Sequence, residues 1–282
     1  MNQNYTDPSA IQETIQDIET RLGARLDRIE LAEAIIGLFY TGTRLSTGHA
    51  GVAFTPRTDI PEAVCCPRSA ARMPDSGKLR GKKIRELLPY SWDSNVLKSS
   101  LGIAIANALS QYIWDEMGLD GYNIIPDKDA IEAIDFTRAK AITMVGAFVP
   151  FIRQLKALEK DFVVLEKEPR ALKGDELRYF RPASERSQVL ARSDVVILTG
   201  ATIVNHTIDE ILSFIPSSAQ VVLAGPTASM VPTAFFRRGV NFLGGIRIIE
   251  AEKAMRILAE GGSGYHLFRE AAQKILLIPS PQ

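Results

Sequence analysis

Cysteine and histidine are scarce in this chain, and the scarcity excludes a good deal. The 282 residues hold two cysteines, adjacent at Cys65 and Cys66, and three histidines, His49, His206 and His266, far apart in sequence. No disulfide framework can staple the fold, and no zinc site of the Cys-x-x-Cys type can be assembled. Net charge is missing as well. Lys plus Arg and Asp plus Glu both number 33, so the balance calls for neither a nucleic acid nor an anionic membrane as partner. No apolar run reaches the length of a membrane span, and the opening MNQNYTDPSA lacks a basic stretch followed by an apolar core. A soluble, cytoplasmic protein is therefore expected. With 46% hydrophobic and 23% charged residues, the chain has the composition and length for one large globular domain or two smaller ones.

Ile11, Ile15, Ile18 and Leu22 fall at helical spacing behind Pro8–Ser9, with Glu13, Asp17, Glu19 and Arg21 on the other face and Gly23 placed to end the helix. From Leu31 the segment turns β-branched and aromatic around a Gly, Ser and Thr middle. This predicts a hairpin of two strands, then a third short strand at Glu62–Cys66 and an exposed loop over Pro67–Lys82. Helices are expected at Leu79–Leu88 and at Asp93–Met117. In the second, Val96, Leu97, Leu101, Ile105, Leu109 and Ile113 share one apolar stripe, with Asp93 or Ser94 as cap. That helix can bury inside the chain or against a second copy, so a homodimer stays open. Turn residues over Gly118–Asp135 then divide an α+β domain, 1–120, from a second domain, 121–282. In the second, strands (AITMVGAFV, DFVVLEKE, DVVILTG, QVVLAGP, VNFLGGIRI, KILLIP) alternate with helices. The fold class is α/β, with a parallel, doubly wound sheet.

Parallel topology puts the carboxyl ends of such strands on one side, where ligands of open α/β sheets bind. Here those ends offer Gly146, Glu166, Thr199–Gly200 with Thr202 and Asn205, Gly225–Pro226–Thr227 with Ser229, and Gly244–Gly245. Glycines let the backbone approach a ligand, and free N–H groups in such turns attract phosphate or carboxylate, although Thr and Asn there equally serve as helix caps. Glu166 stands twenty residues past Gly146, where a dinucleotide fold places the acid that holds a ribose hydroxyl. GAFVPF lacks the GxGxxG turn, so NAD or FAD is not expected. Glu166 is left as a general base, a hydrogen-bonding partner of a hydroxylated or amino-bearing ligand, or a surface acid. Cys65 and Cys66 are soft ligands suited to heavy metals, although adjacent thiols chelate one ion poorly and buried small side chains are the alternative. His49, between glycines in a turn, is the third metal candidate. His206 sits at a helix start, where the dipole keeps it neutral. His266 reads as structural or exposed, and Arg57 as an anion ligand or a solvated edge charge.

The segments TGATIVNHT, LAGPTAS and LGIAIANA resemble the heavy-metal chelation family of uncharacterised proteins, which joins an enolase N-terminal-like domain to a Rossmann-like domain. GHAGVAFT, VGAFVPF, VLEKEP and the final GG segments extend the likeness over nearly the whole chain. TG-x-T-x-x-N-x-T is its most specific element, and GPTAS keeps a hydroxyl where the family pattern has GPS. The resemblance implies a site between the two domains that binds, condenses or hydrolyses a small molecule of pterin, flavin or siderophore type. Such a molecule would serve heavy-metal homeostasis or metal-cofactor supply, with a transition metal or metal chelate as cofactor. By position it implies ligand contacts from Glu166, Thr199, Gly200, Thr202, Asn205, Gly225 and Thr227, joined by Asn107 from the alanine-rich helix. Two alternatives stand beside ligand binding. One is a hydrolase, lyase or transferase with Glu166 as base. The other is direct metal coordination by Cys65, Cys66 and His49.

Overall fold

Ser9 starts the first helix of the computed structural model, which describes residues 8–57 and 74–280. Its Oγ accepts the Gln12 N–H at 3.3 Å while the Gln12 side chain accepts the Ser9 N–H at 2.8 Å, a reciprocal cap that fixes the start of α1, Ala10–Leu22. Ile11, Ile15, Ile18 and Leu22 are buried, as their spacing requires. Three antiparallel strands follow in sequence order, β1 Leu31–Ile36, β2 Tyr40–Leu45 and β3 Ala50–Phe54. The expected two-stranded hairpin is thus a three-stranded meander, because Gly48 at φ +89° closes a second tight turn inside the same segment. The expected strand at Glu62–Cys66, and with it both cysteines, lies outside the described residues.

Helix α2 covers only Ile84–Leu87, continued by a 3₁₀ turn over Leu88–Trp92. Gly81, at φ +82°, prevents the longer helix expected from Leu79. Helix α3, Val96–Glu116, begins later than expected. Asn95 supplies the cap, its Oδ1 accepting the N–H groups of Leu97 and Lys98 at 3.0 and 3.3 Å. The helix is buried on nearly every side within the chain, from Leu97 through Gln111, with only Lys98 partly open along that run. Its supposed stripe is therefore a whole cylinder, and it offers no bare face to a second copy. Close approach is bought by small residues: a Cβ on Gly51 of β3 would lie 2.3 Å from the Ala104 carbonyl oxygen.

The remaining strands are β4 Tyr122–Pro126, β5 Ile142–Val145, β6 Phe162–Glu166, β7 Phe180–Pro182, β8 Val195–Thr199, β9 Gln220–Ala224, β10 Phe242–Ile248 and β11 Ala272–Pro279. Helix α4, Val149–Ala157, joins β5 to β6, and α5, Arg186–Leu190, precedes β8. Short helices α6 Ala201–Val204 and α7 Ile208–Ser213 follow β8, and α8 Thr233–Phe236 follows β9. Helices α9 Ala251–Ala259 and α10 Gly264–Glu270 separate β10 from β11. These eight strands form one sheet in the order β4-β11-β10-β9-β8-β5-β6-β7. From β10 to β7 every neighbour is parallel, while β11 runs antiparallel to both β10 and β4. The parallel α/β expectation holds for that block. Strand β4 falls in the stretch read as a turn-rich divider.

Val, Ile and Leu fill the parallel strands, as burial on both faces demands. One apolar cluster joins α1 and α3 to one face of the large sheet, and a second covers the opposite face with α4. A third packs β3 and the end of β10 against α9. No helix among the described residues is long and apolar enough to cross a membrane.

Candidate functional site

The register of the parallel strands aligns the carboxyl ends of β5, β6, β8 and β9 with Gly244, which lies inside β10 and not at its end as the sequence suggested, because pairing with β11 carries that strand on to Ile248. Val145 pairs with Leu165 on one side and Leu198 on the other, Thr199 with Ala224, and Ala224 with Gly244. The ladder runs one residue further through Gly146 N–H to the Leu165 carbonyl (2.9 Å), Gly200 N–H to Ala224 (2.8 Å) and Gly225 N–H to Gly244 (2.8 Å). Glu166, Gly146, Thr199, Ala224 and Gly244 thus stand in one row. Strand β5 is followed by β6 on one flank, whereas β8 returns on the other, so the switch in strand order falls between Gly146 and Thr199.

This row divides into two halves with different fates. Over β8, β9 and β10 the small sheet and α3 are seated on the strand ends. Asn107, 2% exposed, donates from Nδ2 to the carbonyls of Val52 (2.7 Å), Thr227 (3.0 Å) and Pro226 (3.5 Å). Thr227 Oγ1 accepts the Phe54 N–H at 2.9 Å. Ser229 Oγ accepts the Ile246 N–H and donates to the Pro226 carbonyl, both at 2.8 Å. Gln111 brackets Ile248, donating to its carbonyl at 2.6 Å and accepting its N–H at 3.0 Å. Apart from Asn107 Oδ1, which is buried without a hydrogen-bond partner among the described residues, these polar groups are spent on a seam between β3, α3 and the large sheet.

The other half opens beside β5 and β6. Gly146 adopts φ +86°, and a Cβ there would sit 2.6 Å from Thr199 Cγ2, so only glycine fits against the β8 end. Both Glu166 oxygens are engaged by backbone, Oε2 by the Ala147 N–H at 2.9 Å and Oε1 by the Lys167 N–H at 2.7 Å. The carboxylate thereby holds the β5–α4 turn. Thr202 Oγ1 donates to the Thr199 carbonyl at 2.7 Å, and Asn205 Oδ1 accepts the Thr207 hydroxyl at 2.7 Å; both close the turns around α6. Gly200 is buried against Thr227, which a Cβ would approach to 2.9 Å. Gly225, at φ +117°, is the exception, because a Cβ there would meet nothing nearer than the Gly200 nitrogen at 3.9 Å.

A cleft of about 70 Å³ opens at Gly225 and Gly244, faced by Phe148, Phe268, Lys128 and Lys274. Sequence reasoning found the glycines but missed the other four. Phe148 stands two residues past Gly146 and was within reach of the strand-end argument; Lys128, Phe268 and Lys274 come from the antiparallel edge. A wider cleft of about 870 Å³ lies elsewhere, where α1 begins beside α7 and Arg237–Arg238. Its charges already satisfy one another: Glu13 pairs with Arg237 and Arg238 at 2.6 and 2.5 Å, and Arg238 with Asp209 at 3.0 Å. The smaller cleft, on the strand-end row, is the better candidate.

The histidines are all engaged. His49 places Nδ1 3.0 Å from Thr47 Oγ1 and Nε2 3.3 Å from Asp115 Oδ2, edge-on to Tyr112, and Asp115 also pairs with Arg247. His206, exposed at φ +57°, places Nε2 3.1 Å from the Asp93 carbonyl, and His266 closes the cap of α10 with Ser263. Arg57 lies over the Phe39 ring at 4.9 Å. Among the described residues no group of three or more His, Cys, Asp or Glu is gathered to hold a metal ion.

Two family models match the chain, over residues 20–110 and 129–277, each described as "Putative heavy-metal chelation". An uncharacterised protein of Methanocaldococcus jannaschii is 28% identical over 200 residues, 68% of this chain and 71% of that protein. A solved structure from Pyrococcus horikoshii, of unknown function, superposes with a TM-score of 0.74 at 22% identity, covering 94% of this chain and 98% of the other. One from Desulfitobacterium hafniense, also of unknown function, gives 0.66 at 20% identity, covering 94% and 99%. At these identities the structures speak for the fold, whereas the model over residues 129–277 spans more than half of the sequence. The chain belongs to the heavy-metal chelation family.

Proposed function

We propose that the strand-end row is the binding site of a small metal-chelating molecule, of pterin, flavin or siderophore type, handled in heavy-metal homeostasis or metal-cofactor supply. One observation carries this reading. The carboxyl ends of β5, β6, β8 and β9 align at the switch in strand order beside Gly244 of β10, and the cleft there is walled in part by the Gly225 backbone, whose φ of +117° keeps it free of a side chain. The division of the chain near residue 120 belongs to the same proposal, with the seam at Asn107 joining the two parts.

Binding is favoured over turnover because each Glu166 oxygen already accepts a backbone N–H, which makes the carboxylate the clamp of the β5–α4 turn and ties its orientation to that turn. Metal held directly by Cys65, Cys66 and His49 is disfavoured by His49, whose two ring nitrogens already face Thr47 and Asp115.

The test is thermal unfolding against a panel of chelators, each with and without a transition metal. A ligand of the folded state must raise the melting temperature in proportion to its occupancy. A panel that moves nothing ends the reading. A turnover that vanishes in Glu166→Gln while ligand still binds would replace it with the enzymatic one.

A further inference from the structure

Lys128 is half-buried at the rim of the strand-end cleft and has no carboxylate partner among the described residues, in contrast to its neighbour Lys274, which Asp129 holds at 2.7 Å. Across the same cleft stand Phe148, partly buried, and Phe268, 37% exposed, whose ring carries the Lys274 ammonium at 5.5 Å. The lining also includes the backbone of Gly225, whose φ of +117° is open to glycine alone, and Asp129, whose carboxylate is taken up by Lys274. A stretch of backbone without a side chain, two aromatic side chains and a cation with no carboxylate partner among the described residues describe the complement of a planar ring that bears negative charge.

We propose that this cleft recognises an aromatic carboxylate: the ring lies on the Gly225 backbone between Phe148 and Phe268, and the carboxylate meets Lys128. The cleft measures about 70 Å³ and is open to solvent, so it grips one edge of the ring and leaves the rest outside. The proposal rests on the strand-end row being the ligand site, and it narrows the ligand of that site to an aromatic acid.

The experiment is a binding titration of the full chain, by thermal shift and calorimetry, with four probes: salicylate, benzyl alcohol, cyclohexanecarboxylate and acetohydroxamate. Salicylate is expected to bind saturably and the other three at least tenfold more weakly. Lys128→Gln is expected to weaken salicylate roughly tenfold or more, the scale of one lost charge-assisted hydrogen bond, and Phe268→Ala to weaken it as well. Equal binding of cyclohexanecarboxylate, or a Lys128→Gln protein that binds salicylate as before, overturns the proposal. Should acetohydroxamate bind and salicylate not, the aromatic acid falls while the strand-end site stands; if no chelator binds, both fall.

Discussion

Removing the Asn107 amide tests the seam that closes half of the strand-end row. Its Nδ2 meets three carbonyl oxygens, those of Val52, Thr227 and Pro226, in a site only 2% exposed, so truncation strands acceptors that water cannot reach. Each such loss costs about 1–3 kcal/mol. The small cavity left behind adds to this loss, while removal of Oδ1, itself buried without a partner among the described residues, offsets part of it, so Asn107→Ala is expected to cost about 2–4 kcal/mol. Asn107→Asp separates this explanation from simple loss of volume. A buried carboxylate facing three carbonyls has its pKa raised above the unfolded value of about 3.9. The folded form then binds its proton more tightly, so the extra penalty is absent below about pH 4 and grows as pH rises through and above it. The protonated acid keeps one donor and mimics part of the amide. The assay is urea unfolding followed by the fluorescence of Trp114, which lies on α3 and donates to Tyr122 Oη at 3.0 Å. A cost for Asn107→Ala below about 1 kcal/mol would refute the seam. So would an aspartate variant that tracks the alanine variant at every pH.

Gly146→Ala introduces both a strained φ of +86° and a methyl 2.6 Å from Thr199 Cγ2. A cost of about 2–3 kcal/mol in chemical denaturation is expected. Thr199→Ser removes the colliding methyl and should recover part of that loss; strictly additive effects would show that the two residues do not touch in this way. Acid stability has a named contributor in Glu13. Its hydrogen bond from Arg238, supported by Arg237, lowers its pKa from 4.5 to about 2. A carboxylate lowered on folding stabilises the protein above its unfolded pKa, and that stability is lost as pH falls from about 4.5 to about 2. Glu13→Gln should therefore flatten the acid limb of the stability curve in that window, and an unchanged limb would remove Glu13 from the account.

Much of the scaffold was legible because periodicity and caps agree locally. Ser9 with Ile11, Ile15, Ile18 and Leu22 reads as a capped amphipathic helix and is one. Each Val-rich run that ends in Gly or Thr became a parallel strand. Where the reading slipped, tertiary context was responsible. Helix α3 looks one-sided only if its alanines and serines count as a polar back; Ser99 and Ser110 are buried, donating to the Val204 and Ala106 carbonyls, so small residues mark burial there too. Strand β4 hid in a turn-rich stretch because it is an edge strand paired only with β11, the most distant strand in the sequence. The same non-local pairing explains Lys128 and Lys274: nothing in either segment announces a cleft until β11 turns back beside β10.

The hydroxyls and amides that made the strand ends look like a ligand cradle are mostly consumed by the protein itself. Thr202, Asn205, Thr227 and Ser229 each bond to nearby backbone or side chain, and Asn107 bonds the turn from above. This is what a strand-end crevice requires when a second layer is seated on it, because every carbonyl and N–H beyond the last rung needs a partner once water is excluded. The glycines follow a different logic. At Gly146, Gly200 and Gly245 a Cβ would collide with Thr199, Thr227 or Ser229, so those three are explained by packing alone. Gly225 has the space for a side chain and a φ that refuses one. The backbone conformation therefore keeps Gly225 bare where its neighbours would have allowed a side chain, beside Lys128, which has no carboxylate partner among the described residues.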